Sequence, residues 1–172
     1  MKKILFPMLI LPLMALYFSM TLNAQSSEQD LDQVELMKQF IGTWIIETGE
    51  DSTMIWEVIP SNTGYLNNWS RQADGETYVT SQGILGFARN KQLVNWYHLW
   101  PSGGVARDLG EFISDNKLIG ERFTVDQKHV TASFEINFQT PDKFKWVHKS
   151  RGMKETWDDA VVTEYIFTRV KE

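Results

Sequence analysis

Phe40-Ile41-Gly42-Thr43-Trp44 is the stretch on which the reading of the chain turns. Before it, apolar residues recur at Leu31, Val34, Leu36 or Met37, and Phe40 or Ile41, the spacing of one helical face. After it the apolar period drops to two and stays there, which is the mark of strands. Gly42 stands at the changeover, where a residue without Cβ permits a tight helix-to-strand turn. The indole of Trp44 is large enough to close one end of a sheet folded on itself. A short amphipathic helix over 31–41 is therefore predicted to lie across the end of an all-β body.

Beyond Trp44 the punctuation is regular. Strands are predicted at 44–48, 53–59, 65–71, 76–87, 93–100, 105–113, 117–125, 130–139, 144–150 and 161–170, separated by turn signals such as Pro60-Ser61-Asn62, Ala73-Asp74-Gly75, Pro101-Ser102-Gly103-Gly104 and Thr140-Pro141-Asp142. The cleanest alternation puts Val130, Ala132, Phe134, Ile136 and Phe138 on one face and Thr131, Ser133, Glu135, Asn137 and Gln139 on the other. About ten short strands, short turns and no crossover helix indicate an antiparallel meander. Closure into an up-and-down β-barrel removes its edges, with a β-sandwich as the alternative.

The N-terminus reads as a separate export segment. Lys2 and Lys3 precede an apolar run from Ile4 to Met20, and Ala24 supplies the small residue at a cleavage point, while the bulky Leu22 two places earlier leaves an uncleaved N-terminal anchor as the alternative. Cleavage there takes 24 of the 172 residues and leaves 148, a flexible tail over 25–30 followed by one domain over 31–172. The two lysines leave with it, so the net charge moves from −5 to −7, which disfavours nucleic acid as a partner. No later run is long enough to span a membrane as a helix. With no cysteine, stability rests on packing and strand pairing, and the expected location is periplasmic or extracellular.

Phe40-Ile41-Gly42-Thr43-Trp44 resembles the opening of the lipocalin and calycin superfamily, whose first strand begins with Gly-x-Trp after a short helix. The last strand carries Arg169, and the resemblance implies that this arginine lies over Trp44 as a cation–π pair. Gly83-Ile84-Leu85-Gly86-Phe87, Asn90-Lys91, the aromatic strand ending at Trp100, Ser102-Gly103-Gly104 and Gly110 are similar to an uncharacterised bacterial family of lipocalin-like proteins. That likeness spans roughly 36–169 and implies a calycin-like barrel with a small internal cavity. It brings no catalytic residues with it.

Trp56, Tyr97, Phe134, Phe144 and Trp146 are the predicted aromatic lining of that cavity, with His98 and His148 as the residues able to add hydrogen bonding. Gly42, Trp44 and Arg169 are expected to be structural. No cofactor motif is present; haem held by a barrel histidine is what the resemblance leaves open. The three histidines lack paired metal-ligand spacing, so no metal site is predicted. Glu111, Glu121, Glu155 and Asp158-Asp159 read as solvated carboxylates, and Arg107 and Arg122 as arginines that reach a ligand only from inward positions.

Three functions follow. The first is an exported protein that binds a small, mainly apolar molecule. The second is a barrel enzyme pairing His148 with an inward carboxylate. The third is an envelope module whose barrel is filled and which binds another protein, or a second copy, through an exposed face of Trp69, Trp96 or Trp100.

Overall fold

Asp32 accepts hydrogen bonds from the amides of Val34 and Glu35 at 3.1 and 3.0 Å, capping helix α1 (Gln33–Met37). The structure is a computed structural model that describes residues 31–171 except 50, 125, 127 and 153. The predicted export segment and the tail over 25–30 lie outside the described residues. A 3₁₀ turn, Lys38–Phe40, continues α1, and Ile41 then turns extended. The helical stretch is thus shorter than its apolar spacing predicts, because the chain must be extended before Gly42 to enter the first strand.

Ten strands follow: β1 (Gly42–Gly49), β2 (Ser52–Ser61), β3 (Gly64–Ala73), β4 (Glu76–Ala88), β5 (Leu93–Leu99), β6 (Val105–Ser114), β7 (Lys117–Phe123), β8 (Val130–Thr140), β9 (Lys143–Ser150) and β10 (Val161–Arg169). Each pairs antiparallel with its sequence neighbours, and β10 returns to β1, closing the barrel. The predicted meander is the observed topology, and its alternation sets the two surfaces. On β8 the inward Ala132, Phe134, Ile136 and Phe138 are buried, while Thr131, Ser133, Glu135 and Asn137 are half-buried and Gln139 is exposed.

The lumen is filled at one end only. Phe40, at the end of the 3₁₀ turn, plugs the barrel and meets the rings of Trp56, Trp96, Phe112, Phe138 and Phe144 at centroid distances of 5.1 to 6.3 Å. These tilted and edge-on contacts are the geometry aromatic quadrupoles favour. Gln33 secures the plug, donating to the Phe112 carbonyl at 2.9 Å and accepting from the Phe112 amide at 2.7 Å.

Arg169 fastens β10 to the plug. Its guanidinium carbon lies 4.1 Å from the centre of the Trp44 ring. It also donates to the carbonyl oxygens of Gln39 (2.9 Å), Pro141 (3.0 and 3.1 Å) and Ile41. Gly42 makes room for this: a Cβ there would stand 2.6 Å from Arg169 Nη1, and its φ of +123° suits glycine. The glycine thus permits both the turn and the approach of the guanidinium.

Candidate functional site

At the end away from the plug the inward residues stop meeting across the barrel and leave a cup of about 460 Å³ that opens to solvent. Its walls are partly aromatic, with Trp69, Trp100, Trp146, Tyr165 and Phe167, and partly polar, with Thr48, Thr80, Ser81, His98, Arg122 and His148. Its size falls within the range of small-molecule sites, about 300–1,000 Å³. Trp69 stacks on the buried Trp56 (5.1 Å, 15°) and Trp146 on the buried Trp96 (5.9 Å, 16°), so Trp56 and Trp96 support the rings that face the cup.

A buried ion cluster forms one wall. Asp108 on β6 is fully buried and receives Arg122 in two parallel bonds, Nε to Oδ1 and Nη2 to Oδ2, both 2.8 Å. His98 Nε2 lies 3.1 Å from Oδ2. Register explains the meeting, since Asp108 stands opposite Arg122 across the β6–β7 pair and diagonal to His98 across β5–β6. Burial alone would raise the Asp108 carboxyl, but the hydrogen bonds from Arg122 and His98 outweigh it and hold the group below its ordinary value. Asp108 is therefore ionised, and His98 Nε2 carries the proton it donates. Burial likewise works to lower Arg122, and Asp108 more than offsets it.

A β-bulge supplies a second polar wall. In the β3–β4 ladder Trp69 faces Ser81 and Ser70 faces Val79, so Thr80 is an extra residue. Bulges re-aim side chains, and here consecutive Thr80 and Ser81 both line the cup. Neither hydroxyl has a hydrogen-bond partner among the described residues, and both oxygens are buried. The same holds for Trp69 Nε1, Trp146 Nε1 and His148 Nε2 on the lining. Burial, followed by the nearby Arg122 charge, pushes His148 below the ordinary histidine value, so it is neutral at pH 7. Five lining residues thus have buried polar atoms that no described residue matches, against the general rule that such atoms are paired.

The barrel wall itself is incomplete at one seam. β1 and β10 are paired only at Trp44↔Arg169 and Ile45↔Thr168. Beyond them a groove of about 670 Å³ separates the strands, lined by Ile46, Glu47 and Thr48 on one side and Glu164, Tyr165 and Ile166 on the other. Ile46, Thr48 and Tyr165 line both groove and cup.

The predicted lining is only partly gathered here. Trp146, His98 and His148 line the cup, Trp56 supports it from below, and Phe134 packs edge-on against Trp96 and at 5.7 Å from Trp146. Phe144 belongs to the plug, between Trp44 (4.6 Å) and Phe167 (4.3 Å). Tyr97 is a correction. It lies on the outer surface beneath the Arg107 guanidinium (5.3 Å), because adjacent residues of a strand face opposite sides and Trp96 and His98 are the inward ones. Trp69, Trp96 and Trp100 do not form an exposed face either, since Trp96 is buried and the other two line the cup.

Among the described residues His148 hydrogen-bonds no carboxylate; the carboxylate beside the cup is Asp108, and it is engaged by Arg122 and His98. Glu111, Glu121, Glu155, Asp158 and Asp159 are exposed. Asp108 was not singled out from sequence, although the set Ala106, Asp108, Gly110 and Phe112 marks it as inward. The lining offers haem propionates no free cation, since Arg122, the only lysine or arginine among the described lining residues, is paired with Asp108. Among the described residues, no group of three histidine, aspartate or glutamate side chains is placed to hold a metal ion.

No protein-family model matches the chain, and no curated protein matches it.

Proposed function

We propose that this protein is an exported, calycin-like barrel that binds one small, mainly apolar molecule in the open half of its lumen without transforming it. The observation that carries the reading is the cup itself, an aromatic-walled space of about 460 Å³ whose lining holds buried hydroxyl, indole and imidazole atoms with no partner in the protein. Polar atoms left bare in an apolar wall cost stability, and a ligand that supplies their partners recovers it. The plug at the far end gives the cup a rigid floor, which lowers the ordering cost of binding. Export rests on the sequence of residues 1–24, and the calycin likeness on Gly42-Thr43-Trp44 with Arg169 above the indole.

The enzyme alternative receives less support. Both Asp108 oxygens are occupied and the group is held ionised, which makes it a poor proton acceptor. The test of the binding reading is native mass spectrometry of the protein purified from its own host, before and after denaturation. A defined extra mass released on denaturation is expected. A bare chain mass that stays bare after incubation with host lipid and metabolite extracts, with no change in thermal midpoint, would refute it.

A further inference from the structure

The charge balance of the cup says more about the ligand than its size does. Of the thirteen described residues that line it, Arg122 alone carries a permanent charge, and its guanidinium is held by both oxygens of Asp108. The pair brings the wall to neutrality from beneath. His148, neutral under its burial, adds no charge at pH 7. The unmatched atoms of Trp69 and Trp146 are indole N–H groups, which donate and cannot accept. Thr80 and Ser81 hydroxyls can turn to donate as well. The site is thus rich in donors and empty of free positive charge. A carboxylate entering it would lose its water and gain no counter-ion, whereas a carbonyl oxygen would find donors at no such cost. The acidic surface of the whole chain, net −5, works in the same direction.

We infer that the ligand is an uncharged apolar molecule bearing a carbonyl-type acceptor, such as a ketone, amide or lactone, and that the Asp108–Arg122 pair is the device that excludes the corresponding carboxylic acids. The inference rests on the binding reading above and adds to it the charge class of the ligand. Ser81 and Trp146, 5% exposed each, are the donors nearest to a purely recognition role, because neither takes part in the ion cluster.

Three probes of one shape test it: pyrene, pyrenecarboxamide and pyrenecarboxylate, titrated into the full-length protein at neutral pH and followed by energy transfer from tryptophan to pyrene. The amide is expected to bind at least about ten-fold more tightly than the carboxylate, the consequence of desolvating an unpaired charge. In Asp108→Asn the Arg122 charge is uncovered and the ratio should fall or invert. In the doubly substituted Asp108→Asn/Arg122→Gln the wall is neutral again and the amide preference should return. Should either variant fail to fold, Ser81→Ala and Trp146→Phe carry the test, lowering affinity for the amide by a larger factor than affinity for plain pyrene. Equal or tighter binding of the carboxylate by the unmodified protein overturns the inference and leaves the binding reading standing. Binding of none of the three overturns both.

Discussion

Replacing Arg169 with alanine is the sharpest test of how the barrel is closed. The side chain is about three-quarters buried and touches the plug, the first strand and the β8–β9 turn at once. Its guanidinium serves the carbonyls of Gln39, Ile41 and Pro141. A bond to a charged donor is worth about 1.5–3 kcal/mol where water cannot replace it. Water reaches the Pro141 side once the arginine is gone, so only the two plug carbonyls count near that value. The lost contact with the Trp44 face adds about 0.5–2 kcal/mol. Rehydration and relaxation offset part of the sum, and we expect a net loss of about 2–4 kcal/mol, or very roughly 6–12 °C in the thermal midpoint for a domain of this size.

Urea unfolding followed by tryptophan fluorescence and far-UV circular dichroism reads this directly. Arg169→Lys, which keeps the charge but not the fork, should fall between the two. Gly42 supplies an internal control. Gly42→Ala carries a backbone cost from its φ of +123° and a steric cost from the Cβ 2.6 Å from Nη1. In the Arg169→Ala background the steric part disappears while the backbone part stays, so the two substitutions should be less than additive. A loss below about 1 kcal/mol for Arg169→Ala, the level of an ordinary surface ion pair, would refute the fastening role.

Acid should act through Asp108: its carboxyl is held below its ordinary 3.8, so its contribution is complete above that value and is lost as pH falls through the folded-state one. Asp108→Asn is expected to be less stable at pH 7 and to show a shallower loss below pH 4, measured by urea midpoints against pH. His148 titrates below 6.5 in the folded chain, so under that pH the unfolded chain takes up the proton first and stability declines as pH falls; His148→Asn should flatten the urea midpoint between pH 6.5 and the folded value. At the seam, those amides of Ile46–Thr48 and Glu164–Ile166 that point into the groove lack a strand partner and should exchange with deuterium faster than amides of β8 and β9; equal protection would mean the seam is closed in solution.

The fold was legible because its cues are local. Helical spacing up to Phe40, a glycine, and then period-two alternation punctuated by turn residues identify ten strands and a plug without any distant contact being known. The pairing of Arg169 with Trp44 was an expectation of the resemblance at Gly42-Thr43-Trp44, and closure of the meander, which makes its first and last strands neighbours, is what allows it. The site was less so. Tyr97 was misplaced because β5 is aromatic on both faces, and hydrophobicity cannot tell the inner surface from the outer when both are apolar. The strand's register is fixed by its neighbours, Leu85 opposite Trp96 and Ala106 opposite His98, which only the paired sheet reveals. The bulge at Thr80 is likewise a property of two strands together, and Asp108 acquires its meaning from Arg122, fourteen residues away.

What the sequence does contain, once the register is known, is the reason the barrel is solid at one end and open at the other. Going from the plug to the mouth, the inward residues of β5 run Val94, Trp96, His98, and those of β9 run Phe144, Trp146, His148. β6 is antiparallel to β5 and runs the other way in sequence, from Phe112 through Gly110 to Asp108 and Ala106. On each strand the apolar bulk lies toward the plug and the polar or small residues toward the mouth. Alternation within a strand decides which residues face in, and this lengthwise gradient, reversed on successive strands, decides where the lumen is packed. A cavity placed at the plug would have to displace Phe40, Phe112, Phe138 and Phe144 from mutual contact, at about 3–5 kcal/mol for each ring removed. At the mouth the space is already there, and it is bordered by Thr80, Ser81, Trp69, Trp146 and His148, whose buried polar atoms have no partner among the described residues.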